Sequence, residues 1–168
     1  AFYEEDPSYG TWKGYRVIAA DGSSLRLPNS EEVISKFGLF KPNGTSGKMP
    51  PIARVSLFID LCTSFICSAR IDRWDVGEQT LAAEQLPEVT KALRDVGHNK
   101  LLFVYDRGYP SLKFMKQHKT LGVDFIFRLQ RGCYKGLWEQ VSKGKTDFKY
   151  EIQSNNLKQN VRIVVIKL

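Results

Sequence analysis

Cysteine, histidine and long apolar runs are all scarce in this sequence, and each scarcity removes a class of protein. Three cysteines (Cys62, Cys67, Cys133) are an odd number, no two form a C-x-x-C pair, and only two histidines (His98, His118) are present. A disulfide framework and a zinc centre both lack ligands, so reduced, buried thiols are expected. No stretch approaches the ~18 apolar residues of a membrane-crossing helix, so no membrane partner is expected. The opening AFYEEDPSYG has neither the basic start nor the apolar centre of an export signal. The phosphate-binding patterns G-x-x-x-x-G-K-[ST] and G-x-G-x-x-G are absent, which disfavours nucleotide-driven enzymes. Ser23 and Ser24 lack a G-x-S-x-G setting. An aspartyl-nucleophile phosphatase would want a second aspartate two residues after Asp21, and Ser23 stands there.

What is present suits one globular domain with a sizeable core: 168 residues, 42% hydrophobic and 26% charged. The first residue is not Met, and the closing VVIKL stops in strand-like sequence, so a piece of a longer protein is expected. The net charge of +7 is unevenly spread. Residues 71 to 99 hold three bases against six acids, whereas residues 100 to 149 hold eleven bases against four acids. That basic half is interleaved with Tyr109, Phe114, Phe125, Phe127, Tyr134 and Trp138, the composition a polyanion-binding surface needs.

Along the chain, YRVIAADG (15–22) reads as a strand stopping at an Asp-Gly turn. NSEEVISKFG (29–38) reads as a short helix capped by Ser30 and stopped by Gly38. Residues 40–51, with three prolines and two glycines, read as an exposed loop able to move. A hairpin follows over 53–74, turning near 61–64, and then one kinked helix or two short ones over 76–97, interrupted by Pro87. LLFVY is a buried strand, 110–122 a helix and VDFIFRL another strand. After Gln130 the polar, Lys-Gly-rich sequence reads as a separate sheet-rich appendage. The alternation argues for an α/β sheet flanked by helices.

Two strands, VIAA and LLFVY, run directly into aspartates, Asp21-Gly22 and Asp106-Arg107-Gly108. In open α/β sheets ligands gather beyond the carboxyl ends of strands, so neighbouring strands would bring both carboxylates to one pocket. Close carboxylates repel, and divalent cations relieve the repulsion; paired cations serve phosphodiester cleavage and transfer. Each aspartate alone is equally a turn residue. Asp60 is explained by the hairpin, and Glu78 and Glu84 by solvated or capping roles on the acidic helix.

The segments IAADGSSLRLP, SLFIDL, GEQTLAAE and above all YDRGYPS with FIFRLQRG resemble bacterial insertion-sequence transposases of the DDE superfamily, in particular the IS-four type with its D-R-G-Y signature. The resemblance covers residues 15 to about 132. It implies a ribonuclease H-like mixed sheet over 1–130 and the start of a β-rich insertion over 131–168. It also implies Mg2+ or Mn2+ held by Asp21 and Asp106, DNA transposon ends and target as partners, a homo-oligomeric complex and a bacterial cytoplasmic, nucleoid-associated setting. Arg107 and Arg128 would contact DNA, and Tyr109 would pack beneath the site or touch DNA. The family's third carboxylate lies in a Y-x-x-R-x-x-x-E-x-x-x-x-x-x-K spacing that these 168 residues lack, so the chain alone is expected to be inactive or nearly so. A nuclease of the same fold and an inert DNA-binding module are the alternatives.

Overall fold

The computed structural model describes residues 10–40, 49–154 and 156–166. The central strand β1 (Arg16–Arg26) is followed by α1 (Glu31–Phe37), β2 (Ile52–Asp60), β3 (Ile66–Arg73), α2 (Glu78–Asp95), β4 (Leu101–Tyr105), α3 (Leu112–Leu121) and β5 (Asp124–Phe127). These strands make one mixed sheet in the order β3-β2-β1-β4-β5. β1 pairs antiparallel with β2 and parallel with β4. The expected mixed α/β sheet flanked by helices is therefore present. The loop expected over 40–51 falls largely on 41–48, outside the described residues.

Local chemistry sets the element ends. The Ser30 side chain accepts from the Val33 amide to start α1, and Ser111 accepts from Phe114 to start α3. Gly122 closes α3 at φ 64°, a left-handed conformation that favours glycine. α2 is a single helix despite Pro87. Proline cannot donate to the Ala83 carbonyl four residues back, and Gln117 of α3 donates to that oxygen instead at 2.7 Å. The substitution keeps α2 intact and ties it to α3.

One sheet face is dry. Ile18, Ala20, Phe58, Phe103 and Tyr105 pack against Ala82, Leu86, Val89 and Leu93 of α2 and Phe114 of α3. On the other face Val55, Leu57, Ile59 and Val104 are only partly buried, and Ile71 and Ile126 are about half exposed.

The structure differs from the sequence reading at several points. β1 does not stop at Asp21-Gly22 but continues to Arg26, because β2 extends the antiparallel ladder to Arg26↔Ile52. The three cysteines form no disulfide, as expected, but Cys62 is exposed and Cys67 and Cys133 are half-buried. Beyond Gln130 the chain forms a helix, α4 (Lys135–Ser142), before the hairpin β6 (Asp147–Ser154) and β7 (Leu157–Val164). The hairpin does not stand apart, since Ile152 packs with Leu112 and Met115 of α3.

His118 sits fully buried in the core. Its Nδ1–H donates to the Phe114 carbonyl at 2.8 Å, leaving Nε2 to accept from the Tyr105 hydroxyl at 2.8 Å. Burial lowers its pKa to about 4, so the folded protein holds it neutral. A depressed histidine pKa means that the unfolded chain binds the proton first. Stability from this group is complete above about pH 6.5 and falls as pH drops toward 4, by about 1.4 kcal/mol per unit. Urea unfolding at pH 7 and pH 5 is expected to show about 2 kcal/mol more loss in the wild type than in His118→Gln. Equal losses would refute the neutral assignment.

Candidate metal centre

The parallel register places Ala20 opposite Tyr105. The next residue on each chain is Asp21 and Asp106 respectively. Adjacent strands lie ~4.8 Å apart and side chains alternate faces. Ala20 points into the α2-covered core, so Asp21, next on the same strand, points to the opposite face; Asp106 follows the last residue of β4, and both aspartates are exposed. β4 ends at Tyr105 while β1 continues, which leaves β1 without a strand neighbour on that side beyond Ala20. The result is a notch in the sheet at Asp21-Gly22, with Glu78 filling its α2 side.

Asp21 accepts from the Gly22 amide at 2.9 Å. The Asp106 carbonyl accepts from the Tyr109 amide at 3.2 Å, closing a turn that carries Arg107 and Gly108 at the surface. Gly108 has no left-handed φ, and an added Cβ would meet nothing within 4 Å, so the fold does not itself require glycine there. Arg128 lies 3.6 Å from the Asp106 carboxylate, with both side chains more than half exposed. Such a pair contributes under about 1 kcal/mol and leaves both groups available. Arg107 is exposed one residue beyond Asp106.

Tyr109 takes the first of its two expected positions. Its side chain is 1% exposed and lies in the core cluster, beneath the carboxylates rather than on a surface DNA could reach. Its hydroxyl is buried without a hydrogen-bond partner. Burial raises its pKa well above the ordinary tyrosine value, and the charges of Glu78, Asp21 and Asp106 raise it further, against Arg54. Four charges thus act on one buried hydroxyl. The other aromatics of the basic half are also largely structural: Phe114 is buried, and Phe125 and Phe127 pack on the core. Exposed lysines and arginines, not interleaved rings, make that surface.

Glu78 is the residue that sequence reasoning undervalued. It is not a solvated helix residue, unlike Glu84, which pairs with Arg70 in the open. The Glu78 carboxylate is two-thirds buried and takes a 2.5 Å hydrogen bond from Arg54 Nη1. The Arg54 guanidinium in turn lies 3.9 Å over the Trp74 ring. Glu78 reaches the notch because Gly22 has no side chain: a Cβ there would stand 2.5 Å from Glu78 carbon atoms. Next to it, Gln79 donates to the Tyr109 carbonyl and to Ser111, both at 2.6 Å, which locks the start of α2 to the turn. Arg54 itself comes from the middle of β2.

Among the described residues, no three histidine, cysteine, aspartate or glutamate side chains stand together as a ready-made metal cage. The donor set is nonetheless all oxygen, with two exposed adjacent carboxylates and an unsatisfied hydroxyl at the notch, which suits a hard divalent cation such as Mg2+ or Mn2+.

The family described as transposase DDE domain matches residues 12–167. The fold is similar to that of the piggyBac transposase in its synaptic complex with hairpin DNA, at TM-score 0.50 and 10% identity, covering 88% of this chain and 32% of that one. A match to the Mos1 transposase paired-end complex has TM-score 0.46 and 9% identity, covering 85% of this chain and 50% of that one. The chain thus spans half or less of the length of these transposases. No curated protein matches it.

Proposed function

Because this chain belongs to the transposase DDE domain family, we propose that it is the metal-dependent catalytic core of a DNA transposase, of the bacterial insertion-sequence kind and the IS-four type. The observation that supports this reading is the register Ala20↔Tyr105, which sets the residues just before Asp21 and Asp106 opposite each other on neighbouring parallel strands. Two carboxylates so placed repel unless a cation neutralises them. A bound Mg2+ or Mn2+ would polarise a phosphodiester and stabilise the charge that develops on it. Asp21 and Asp106 hold the cation. Arg107 neutralises a backbone phosphate beside the site, and Arg128 exchanges its weak pair with Asp106 for DNA.

Cleavage is attack by the oxygen of water on phosphorus with departure of a DNA 3′-oxygen. Joining is attack by that 3′-hydroxyl oxygen on a target phosphorus, with departure of the target strand's 3′-oxygen, which takes up a proton as the attacking hydroxyl gives one to solvent. The third carboxylate of the family would lie on a helix outside these 168 residues. The partly covered second sheet face, carrying Val55, Leu57, Ile59 and Ile126, supports packing of such a helix beside Asp21. This chain alone would then be inactive or nearly so, working DNA only within a longer, oligomeric protein in the bacterial cytoplasm.

The test gives the parent protein Mg2+ and DNA carrying terminal inverted repeats. Nicking at the repeat end followed by joining is expected. Nicking without joining would favour a nuclease on the same fold, and metal-independent binding without cleavage would favour an inert DNA-binding module.

A further inference from the structure

Glu78 is the one carboxylate near the notch that the reading above does not use. Three observations mark it. Gly22 makes room for it, since a side chain at that position would collide with the Glu78 methylene and carboxyl carbons at 2.5 Å. Gln79, its neighbour, anchors the first turn of α2 to the turn that follows Asp106. The hydroxyl of Tyr109, a residue 1% exposed, has no hydrogen-bond partner and feels the charges of Glu78, Asp21 and Asp106. A buried hydroxyl without a partner costs about 1–3 kcal/mol, and a cation-bound water at the notch would relieve that cost.

Glu78 lies on the α2 side, against Gly22, and the three carboxylates do not stand together in the metal-free protein, so a cation at the notch would have to draw Glu78 toward Asp21 and Asp106. Arg54 supplies the positive charge that a carboxylate so placed requires. It is a replaceable one: the guanidinium already lies over Trp74 and stays supported there when its partner leaves.

We infer that Glu78 is a further carboxylate of the Asp21–Asp106 cation site, held on Arg54 in the metal-free protein and transferred to the divalent cation when it binds at the notch. This rests on the metal-site reading of the aspartates. It adds a ligand from α2, distinct from the family's later glutamate.

Direct Mn2+ binding to the 168-residue chain, by calorimetry and by the paramagnetic resonance signal of free Mn2+, separates the two ideas without any activity assay. Asp21→Asn and Asp106→Asn are expected to abolish binding. Glu78→Gln keeps a group that can accept from Arg54 and is expected to weaken binding about 10- to 100-fold, the range found when groups supporting a metal site are lost. Gly22→Ala places a methyl where the Glu78 carboxyl stands and is expected to weaken binding in the same direction, with the fold kept because Gly22 has no left-handed φ. Melting curves in chelator report on folding independently of metal. Wild-type affinity in both Glu78→Gln and Gly22→Ala, with binding lost in the aspartate variants, would overturn the role of Glu78 and leave the aspartate pair standing. A Glu78→Gln effect confined to the metal-free melting temperature would overturn it too, as a purely structural role. Absence of Mn2+ binding by the wild-type chain would overturn both.

Discussion

Asp106→Asn in the parent protein is expected to reduce strand cleavage in Mg2+ by at least about a thousandfold while leaving DNA binding within about twofold. The rate effect follows from the charge: asparagine has nearly the volume of aspartate but cannot neutralise a divalent cation, and stabilisation worth several kcal/mol in the transition state is lost. The binding effect follows from geometry. The positive surface is spread over exposed residues such as Lys100, Arg107, Lys113, Lys119 and Arg131, none of which depends on Asp106 for its position. Freeing Arg128 from Asp106 removes an exposed pair worth under about 1 kcal/mol, so the melting temperature is expected to stay nearly constant. Single-turnover cleavage of end DNA with parallel filter binding checks both halves. Asp21→Asn should match it, because the residues that precede the two aspartates are paired across neighbouring parallel strands and the proposed cation needs both carboxylates. Cleavage within tenfold of wild type in either variant would remove that aspartate from the metal site.

Much of this arrangement was legible in the sequence because it depends on local signals. Ser30 and Gly38 bracket α1, the apolar run LLFVY forms β4, and Asp106 stands where that run stops. What was not legible depends on partners far along the chain. β1 passes through Asp21-Gly22 rather than turning there because β2 is long enough to pair with it, which a common Asp-Gly turn signal conceals. α2 survives Pro87 because of a glutamine thirty residues later. α4 begins at Tyr134 in a left-handed conformation, φ 55°, with no side-chain cap, so it lacks the usual start signal. Glu78 looked solvated because its partner Arg54 sits on another strand and its space is made by Gly22. The signal that could have found it was the glycine following the first aspartate, a position where a neighbour approaches closely.

The largest effect on stability is expected at the opposite end of β1. Arg16 and Asp60 form a 3.1 Å ion pair with both side chains fully buried. The guanidinium also donates to the Gly10 carbonyl at 2.8 Å and to His98 Nε2 at 2.9 Å. Guanidinium can only donate, so Nε2 accepts and the histidine is neutral, in keeping with a pKa lowered by burial and by Arg16. Asp60 does two jobs, since its other oxygen accepts from the Cys62 and Thr63 amides at 2.8 and 3.3 Å and shapes the hairpin turn. Asp60→Ala removes a fully buried carboxylate that pairs with Arg16 and accepts from two turn amides, and is expected to cost about 3–5 kcal/mol. For a chain of this size that is a fall of roughly 10–15 °C in melting temperature. Asp147→Ala breaks a bidentate pair with Arg162 whose side chains are about half exposed or more, and is expected to cost under about 1 kcal/mol, so burial rather than contact geometry decides the difference. Replacing both partners, Arg16→Met with Asp60→Leu, should recover part of the loss because no unpaired charge remains. Calorimetric melting of the single and double variants checks this, and a cost below 1 kcal/mol for Asp60→Ala would refute it. Five residues of extended strand, about 16 Å, separate Arg16 from Asp21. Below its melting temperature the Asp60→Ala protein should therefore bind Mn2+ as the wild type does, which keeps the structural end of β1 distinct from its chemical end.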